Sequence, residues 1–159
     1  MLAKWWMPSL SAAMNKFNFA EIKLGSTASF TYELNQAKLD SFRALTGDIN
    51  PLHNDASFAK SHGHPEKVVY GMLTAAALST LAGVYLPGER SLIHSVEIDF
   101  KKPVYLSRCP LTVSGEVTDK DERFQRITLK FTITDNTATK VARGTMAIGF
   151  LEDERGANK

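Results

Sequence analysis

Residues 68–88 read VVYGMLTAAALSTLAGVYLPG, a run of 21 residues without a charged side chain. From about Gly71 to Leu86 the run predicts a helix that is apolar on every face, and Pro87 and Gly88 end it. Its length approaches that of a membrane span, but small and polar residues dilute it. We therefore expect the helix to lie in the core of a soluble domain, with no membrane as a partner.

Beyond this run, apolar residues recur at every second position, which is the period of a half-buried strand. Four segments show it, the second more weakly than the others: Val96–Lys101, Val113–Val117, Ile127–Ile133 and Ala142–Phe150. Another strand is predicted before the helix, over Thr27–Leu34. This order predicts an α+β domain in which an antiparallel sheet curls around the apolar helix. Such a sheet covers one side of the helix, so the other side needs smaller helices or a second subunit.

The region between the first strand and the apolar helix predicts two further helices. Apolar residues three positions apart indicate an amphipathic helix from about Gln36 to Gly47. We expect Asp48–Asn54 to be irregular, because a proline disfavours helix in the residue before it and Pro51 lies inside this segment. A short helix capped by Asp55 is expected to follow.

The composition is that of one globular domain, with 159 residues of which 43% are hydrophobic and 23% are charged. Residues 1–14 are expected to form a loose N-terminal extension, residues 15–152 the domain, and residues 153–159 a polar tail. The formal net charge is only +2, so nucleic acid is not an expected partner. Cys109 is the single cysteine, which favours the cytoplasm as location, and we expect its thiol to be idle.

The segment from Asp48 to His53 holds a carboxylate and an imidazole five residues apart, which on an ideal helix would lie about 140° apart. Because Pro51 breaks the helix, the loop can aim both side chains into one pocket, where they would form a general acid/base pair. Gly71 begins the apolar helix, whose unpaired N–H groups can hold an oxyanion. These parts match the addition of water to an α,β-unsaturated thioester.

Two motifs, GDINPLH over Gly47–His53 and YGML over Tyr70–Leu73, resemble the hydratase-2 motif of MaoC-like enzymes. This family comprises the (R)-specific enoyl-CoA hydratases and related dehydratases, and the likeness extends from about Phe17 to Leu151. It implies a hot-dog fold, a homodimer, and reversible hydration of trans-2-enoyl-CoA to (R)-3-hydroxyacyl-CoA without a cofactor beyond the coenzyme A thioester itself.

The resemblance also implies roles for five residues: catalysis for Asp48 and His53, and oxyanion or substrate binding for Gly71, Asn50 and Ser79. From the residues alone, Asn50 is expected rather to organise the turn. Ser79 either serves the site or satisfies its hydroxyl within the helix. The family usually has histidine where this chain has Tyr70. We expect Tyr70 to be structural, because an ordinary tyrosine pKa of about 10 makes a poor acid or base at neutral pH.

Several alternatives stay open at this point. The same chemistry on a carrier-protein thioester would make the chain a 3-hydroxyacyl-carrier-protein dehydratase. A hot-dog thioesterase fits the motif less well, and a non-catalytic acyl-binding subunit would not need an intact Asp48 and His53. No metal is expected, because the spacing of the candidate ligands fits no zinc signature: His53, Asp55, His62 and His64. A solvated strand edge is favoured over contacts to coenzyme A phosphates for three basic residues: Lys101, Lys102 and Arg108.

Overall fold

The structure is a computed structural model that describes residues 13–151. Most of the predicted N-terminal extension and the whole polar tail therefore lie outside the described residues. The elements follow one another as β1 (Thr27–Tyr32), α1 (Gln36–Thr46), α2 (Pro51–Asn54), α3 (Ala56–Ser61), α4 (Gly71–Thr80), β2 (Ser91–Phe100), β3 (Leu111–Asp121), β4 (Arg126–Thr134) and β5 (Lys140–Phe150). The four predicted strands after the apolar helix are confirmed, with longer bounds than their alternation indicated.

The five strands form one antiparallel sheet in the order β1-β3-β4-β5-β2. β3, β4 and β5 follow one another both in the chain and in the sheet, whereas β2 crosses to the far edge and pairs with β5. Every second residue of β4 is buried, and its apolar side chains form the middle of the core. The strand period of two therefore places one face of the sheet in the core, as predicted.

The sheet wraps around α4, the predicted apolar helix. Leu73, Ala77 and Leu78 of this helix are all buried. The helix continues as a π-helical turn over Leu81–Tyr85, in which the N–H of Leu86 donates to the carbonyl oxygen of Leu81 at 2.8 Å. The predicted length of the helix is confirmed. The π-helical turn was not predicted, because the hydrophobic pattern of a sequence does not distinguish this wider turn from an α-helix. No helix within residues 13–151 is long and apolar enough to cross a membrane.

One prediction about the segment before α4 was wrong. Asp48–Asn54 was expected to be irregular, yet its second half is the helix α2, Pro51–Asn54. Proline constrains the residue before it, and that residue, Asn50, is the N-cap of α2. Pro51 itself suits the first position of a helix, where its missing N–H would have no partner. The irregular part is therefore confined to Asp48–Asn50, and the short helix predicted after Asp55 is present as α3.

Candidate active site

A cleft of about 610 Å³ opens between α1, α2, the N-terminus of α4 and the end of β2. Three of the predicted site residues line it together: Asp48, His53 and Gly71. The remaining lining is mostly apolar and comprises Phe42, Thr46, Tyr70, Met72 and Phe100. The cleft therefore combines one carboxylate and one imidazole with aromatic walls, which suits a polar reacting group carried on an apolar chain.

His53 enters the cleft from α2, near whose C-terminus it lies. Its Nδ1 atom lies 2.7 Å from the carbonyl oxygen of Val68, in the strand-like segment that precedes α4. A carbonyl oxygen only accepts, so Nδ1 carries the hydrogen of this bond. In the neutral ring Nε2 is then an acceptor, and in the charged ring it is a donor. The imidazole can thus take up or release a proton at Nε2 while its orientation is kept.

Asp48 follows the end of α1 directly. Gly47 ends that helix with a φ of 71°, a left-handed conformation that glycine adopts without strain, and so turns the chain towards the cleft. One carboxylate oxygen of Asp48 accepts from the backbone N–H of Asn50 at 3.0 Å. The carboxylate is therefore held against its own loop and still lines the cleft.

The N-terminus of α4 forms the third part of the site. Tyr70 is the N-cap residue of this helix and its side chain makes no capping hydrogen bond. The first N–H groups of the helix thus lack a side-chain partner, and the helix dipole places positive charge there. Since Gly71 has no side chain, a ligand oxygen in the cleft can approach these N–H groups closely. Such a group of donors is suited to a developing oxyanion.

Two predicted site residues do not line this cleft. The side-chain oxygen of Asn50 accepts from the backbone N–H of Leu52 at 2.9 Å, which is the bond of a turn organiser. Ser79 lies on α4 eight residues after Gly71, or about 12 Å along the helix axis, and is exposed. Direct roles for both residues in substrate binding stay predictions.

The other candidate residues separate into different places. Within residues 13–151 no three potential ligands come close enough together to hold a metal ion. His62 bonds to the carbonyl oxygen of Phe58 at 2.8 Å, and His64 to the hydroxyl of Tyr105 at 3.1 Å. Both imidazoles therefore serve local structure.

The basic residues and the thiol also have distinct surroundings. Lys101 and Lys102 border a smaller hollow of about 240 Å³ that also contacts His53, and Lys101 pairs with Asp99 at 2.8 Å. Arg108 instead donates to the hydroxyl of Thr137 at 3.2 Å. Burial, together with the negative charge of Glu33, raises the pKa of Cys109 to about 11, as suits an idle thiol.

Sequence reasoning missed the contacts that assemble the cleft around Tyr70. Its hydroxyl reaches the backbone of Asp48 and the side chain of Asn54, which precede it by 22 and 16 residues. It also missed the aromatic walls, Phe42 and Phe100. The departure from the family at Tyr70 was the only signal, and spacing along the chain carries no information about such distant contacts.

Comparison with known proteins gives one consistent answer. Residues 16–141 match the family model described as MaoC like domain. The chain is 35% identical over 97 residues to an (R)-specific enoyl-CoA hydratase of Aeromonas caviae, covering 61% of this chain and 72% of the relative. It is 33% identical over 85 residues to a mitochondrial 3-hydroxyacyl-[acyl-carrier-protein] dehydratase of Solanum lycopersicum, covering 54% and 50% of the two chains.

The solved structure of the (R)-hydratase from A. caviae involved in PHA biosynthesis superposes with a TM-score of 0.78 at 30% identity. The superposition covers 82% of this chain and 98% of the hydratase. The predicted α+β hot-dog fold, an antiparallel sheet wrapped around a long central helix, is confirmed by this likeness.

Proposed function

The chain belongs to the MaoC-like domain family, and from this membership we propose that it is a hydro-lyase that adds water to trans-2-enoyl-CoA. The product is (R)-3-hydroxyacyl-CoA, and the reaction is reversible. One observation carries the proposal: Asp48, His53 and the N-terminus of α4 at Gly71 line a single cleft. The likeness to the A. caviae hydratase supports the same reaction and its stereochemistry.

The N-terminus of α4 acts on the thioester. When water adds to the β-carbon, negative charge moves to the thioester oxygen, which becomes enolate-like. The N–H of Gly71 and the positive end of the helix dipole stabilise that charge more strongly than they stabilise the neutral carbonyl. The helix therefore lowers the barrier to the addition rather than merely binding the substrate.

Asp48 and His53 move the protons. One of the two accepts a proton from water as its oxygen bonds to the β-carbon, and the other delivers a proton to the α-carbon. A proton then passes between the pair, so that the two groups regain their starting states and the net change is the addition of one water molecule. The hydrogen bonds at His53 Nδ1 and the Asp48 carboxylate keep both groups oriented during this exchange.

We propose that no metal or other cofactor takes part. Acid, base and oxyanion donors are all supplied by the chain, and coenzyme A enters as part of the substrate.

The aromatic walls of the cleft, Phe42 and Phe100, receive the acyl chain. The single, unpaired thiol of Cys109 favours a cytoplasmic location for the reaction.

The same chemistry on a carrier-protein thioester is the second candidate. The likeness to the dehydratase of S. lycopersicum favours it. Lys101 and Lys102 beside the cleft suit the phosphates of coenzyme A and equally an acidic carrier protein. A parallel assay with crotonyl-CoA and crotonyl-carrier protein separates the two, since the preferred carrier gives the higher kcat/KM.

We further propose a homodimer. Met72, Ala76 and Ser79 leave one face of α4 exposed in the protomer. Beside it runs β2, which within residues 13–151 is an edge strand that pairs with β5 alone and leaves Val96 and Phe100 42% and 48% exposed. An unpaired strand edge next to an apolar helix face is complementary to a second copy of itself.

The function is tested by a hydration assay across crotonyl-, hexenoyl- and octenoyl-CoA with chiral analysis of the product. We expect formation of the (R)-3-hydroxyacyl-CoA without release of free thiol. Release of coenzyme A would indicate a thioesterase, and an (S) product would contradict the stereochemical assignment. Binding without turnover of any substrate would indicate an acyl-binding subunit.

A further inference from the structure

Tyr70 closes the inner end of the cleft and is only 2% exposed. Its hydroxyl lies 3.1 Å from the carbonyl oxygen of Asp48 and 3.1 Å from the amide nitrogen of Asn54. A phenol carries one hydrogen, and the Asp48 carbonyl at 3.1 Å is a nearer acceptor for it than the Oδ1 atom of Asn54 at 3.3 Å, while the Asn54 amide N–H donates to the hydroxyl. The hydroxyl thus ties the backbone of the proposed catalytic carboxylate to α2.

Asn54 extends this connection to the rest of the loop. Its amide nitrogen carries two hydrogens and also donates to the carbonyl oxygen of Asn50 at 2.8 Å. The N–H of Asn50 in turn donates to the carboxylate of Asp48. The Tyr70 hydroxyl therefore fixes the loop at Asp48 directly and at Asn50 through Asn54.

The ring of Tyr70 contacts the other proposed catalytic residue. Its centroid lies 4.3 Å from that of the His53 imidazole, with 36° between the planes, and 5.1 Å from that of Phe42. His53 Nδ1 is already bonded to Val68, and the tyrosine ring packs against the imidazole and limits its movement on that side. In sequence, Tyr70 directly precedes Gly71, the proposed oxyanion donor.

We propose that Tyr70 is a positioning residue. Its hydroxyl holds the Asp48 loop and its ring holds His53, so that both proposed catalytic residues stay beside the N-terminus of α4. The inference rests on the proposed hydratase function and deepens it. Tyr70 acts through its neighbours: its hydroxyl is engaged with the Asp48 backbone and the Asn54 side chain, and its role is to keep the acid, the base and the oxyanion donor at fixed separations.

The test compares Tyr70→Phe, Asn54→Ala and the double variant with the parent chain. Tyr70→Phe keeps the ring and removes only the hydroxyl. Asn54→Ala removes the second partner of that hydroxyl together with the bonds of Asn54 to the Asn50 carbonyl and to Arg43. Tyr105→Phe is the matched control, because it removes a hydroxyl that bonds to His64 outside the cleft. We would measure kcat and KM with crotonyl-CoA, the Kd of butyryl-CoA, which cannot be hydrated, and unfolding by urea.

We expect each single variant to lose about tenfold in kcat, with the Kd of butyryl-CoA within about twofold of the parent value, since one hydrogen bond orients the loop. The double variant should lose less than the product of the two single losses, because both substitutions remove the bond between Tyr70 and Asn54. Tyr105→Phe should keep the parent kcat. Should Tyr70→Phe fail to fold, Asn54→Ala tests the link from the hydroxyl to Asn50, and an unchanged kcat in that variant would overturn the inference.

Three results would overturn the inference while the parent chain remains active: an unchanged kcat in a folded Tyr70→Phe, a Kd that rises in proportion to the loss of kcat, or losses that multiply in the double variant. A loss beyond a hundredfold in Tyr70→Phe would instead place the hydroxyl in the chemistry. If the parent chain hydrates none of the enoyl-CoA substrates, the proposed function is wrong, and this inference is wrong with it.

Discussion

The ring of Phe100 lies 3.4 Å from the position that a β-carbon would occupy on Gly71. The last residue of β2 thus covers the first residue of α4, and the helix N-terminus is open towards the cleft only because Gly71 has no side chain. A methyl group there would touch the ring at van der Waals distance and lie beside the N–H group that we propose as oxyanion donor.

Gly71→Ala is therefore expected to lower kcat by about tenfold, through impaired approach of the thioester oxygen, while the protein stays folded. Steady-state kinetics with crotonyl-CoA and circular dichroism check both parts. Full activity of Gly71→Ala would show that the oxyanion is held elsewhere.

Asp48→Asn is expected to lower kcat at least about a hundredfold with the fold intact, because it removes a proton-transfer partner. The amide oxygen can still accept from the N–H of Asn50, so the loop keeps its shape. Single-turnover kinetics and urea unfolding of the variant separate lost chemistry from lost stability. Near-normal turnover in a folded variant would contradict the assignment of Asp48.

His53→Ala is expected to have an effect of the same size, since it removes the other proton-transfer partner. His64→Ala is a matched control, because His64 bonds to Tyr105 and does not line the cleft. The kcat of the control should stay within about twofold of the parent value. Equal losses in the two variants would mean that His53 acts through stability alone.

Val96→Glu is expected to produce a monomer at micromolar concentration, because it places a charge in the middle of the exposed β2 edge. Light scattering combined with size-exclusion chromatography measures the mass. Val96→Thr, which keeps the branched shape without the charge, should remain a dimer. A parent chain that is itself monomeric under these conditions would contradict the proposed assembly.

The pKa of Cys109, raised to about 11 chiefly by burial, predicts how its reactivity depends on pH. Only the thiolate is nucleophilic, and burial disfavours that charged form, so the thiolate fraction at pH 8 is smaller than for an ordinary thiol. Alkylation by iodoacetamide at pH 8, followed by mass spectrometry, should be slower than that of N-acetylcysteine and should accelerate towards pH 11. Equal rates at pH 8 would contradict the shift.

Much of the fold could be predicted because its signals are local. The uncharged run before Gly88 indicates the buried helix, and the period of two indicates the strands. The convergence of Asp48 and His53 was predictable from Pro51, because a proline disfavours helix in the residue before it and so separates α1 from the residues that follow. The error over α2 came from applying the proline rule to the residues after Pro51 as well as to the one before it.

What could not be predicted depends on contacts between distant parts of the chain. The position of β2 beside β5 is decided by which strand edges meet around the helix, and each strand alone has the same alternation. The contact of the Tyr70 hydroxyl with the Asp48 backbone depends on the path of the chain through α2 and α3. Ser79 is a second example. The family resemblance assigns it to the site by its position in the chain, but its side chain does not line the cleft of the protomer.

The position of Phe100 links assembly to catalysis. It ends the strand edge on which we propose that two copies meet, and its ring forms a wall of the cleft. A partner that packs on this edge also contacts that wall, so in the proposed dimer the free energy of association would contribute to the geometry of the site. Turnover per protomer would then fall as the enzyme is diluted below its dimer dissociation constant, and substrate, by binding against Phe100, would in turn tighten the dimer.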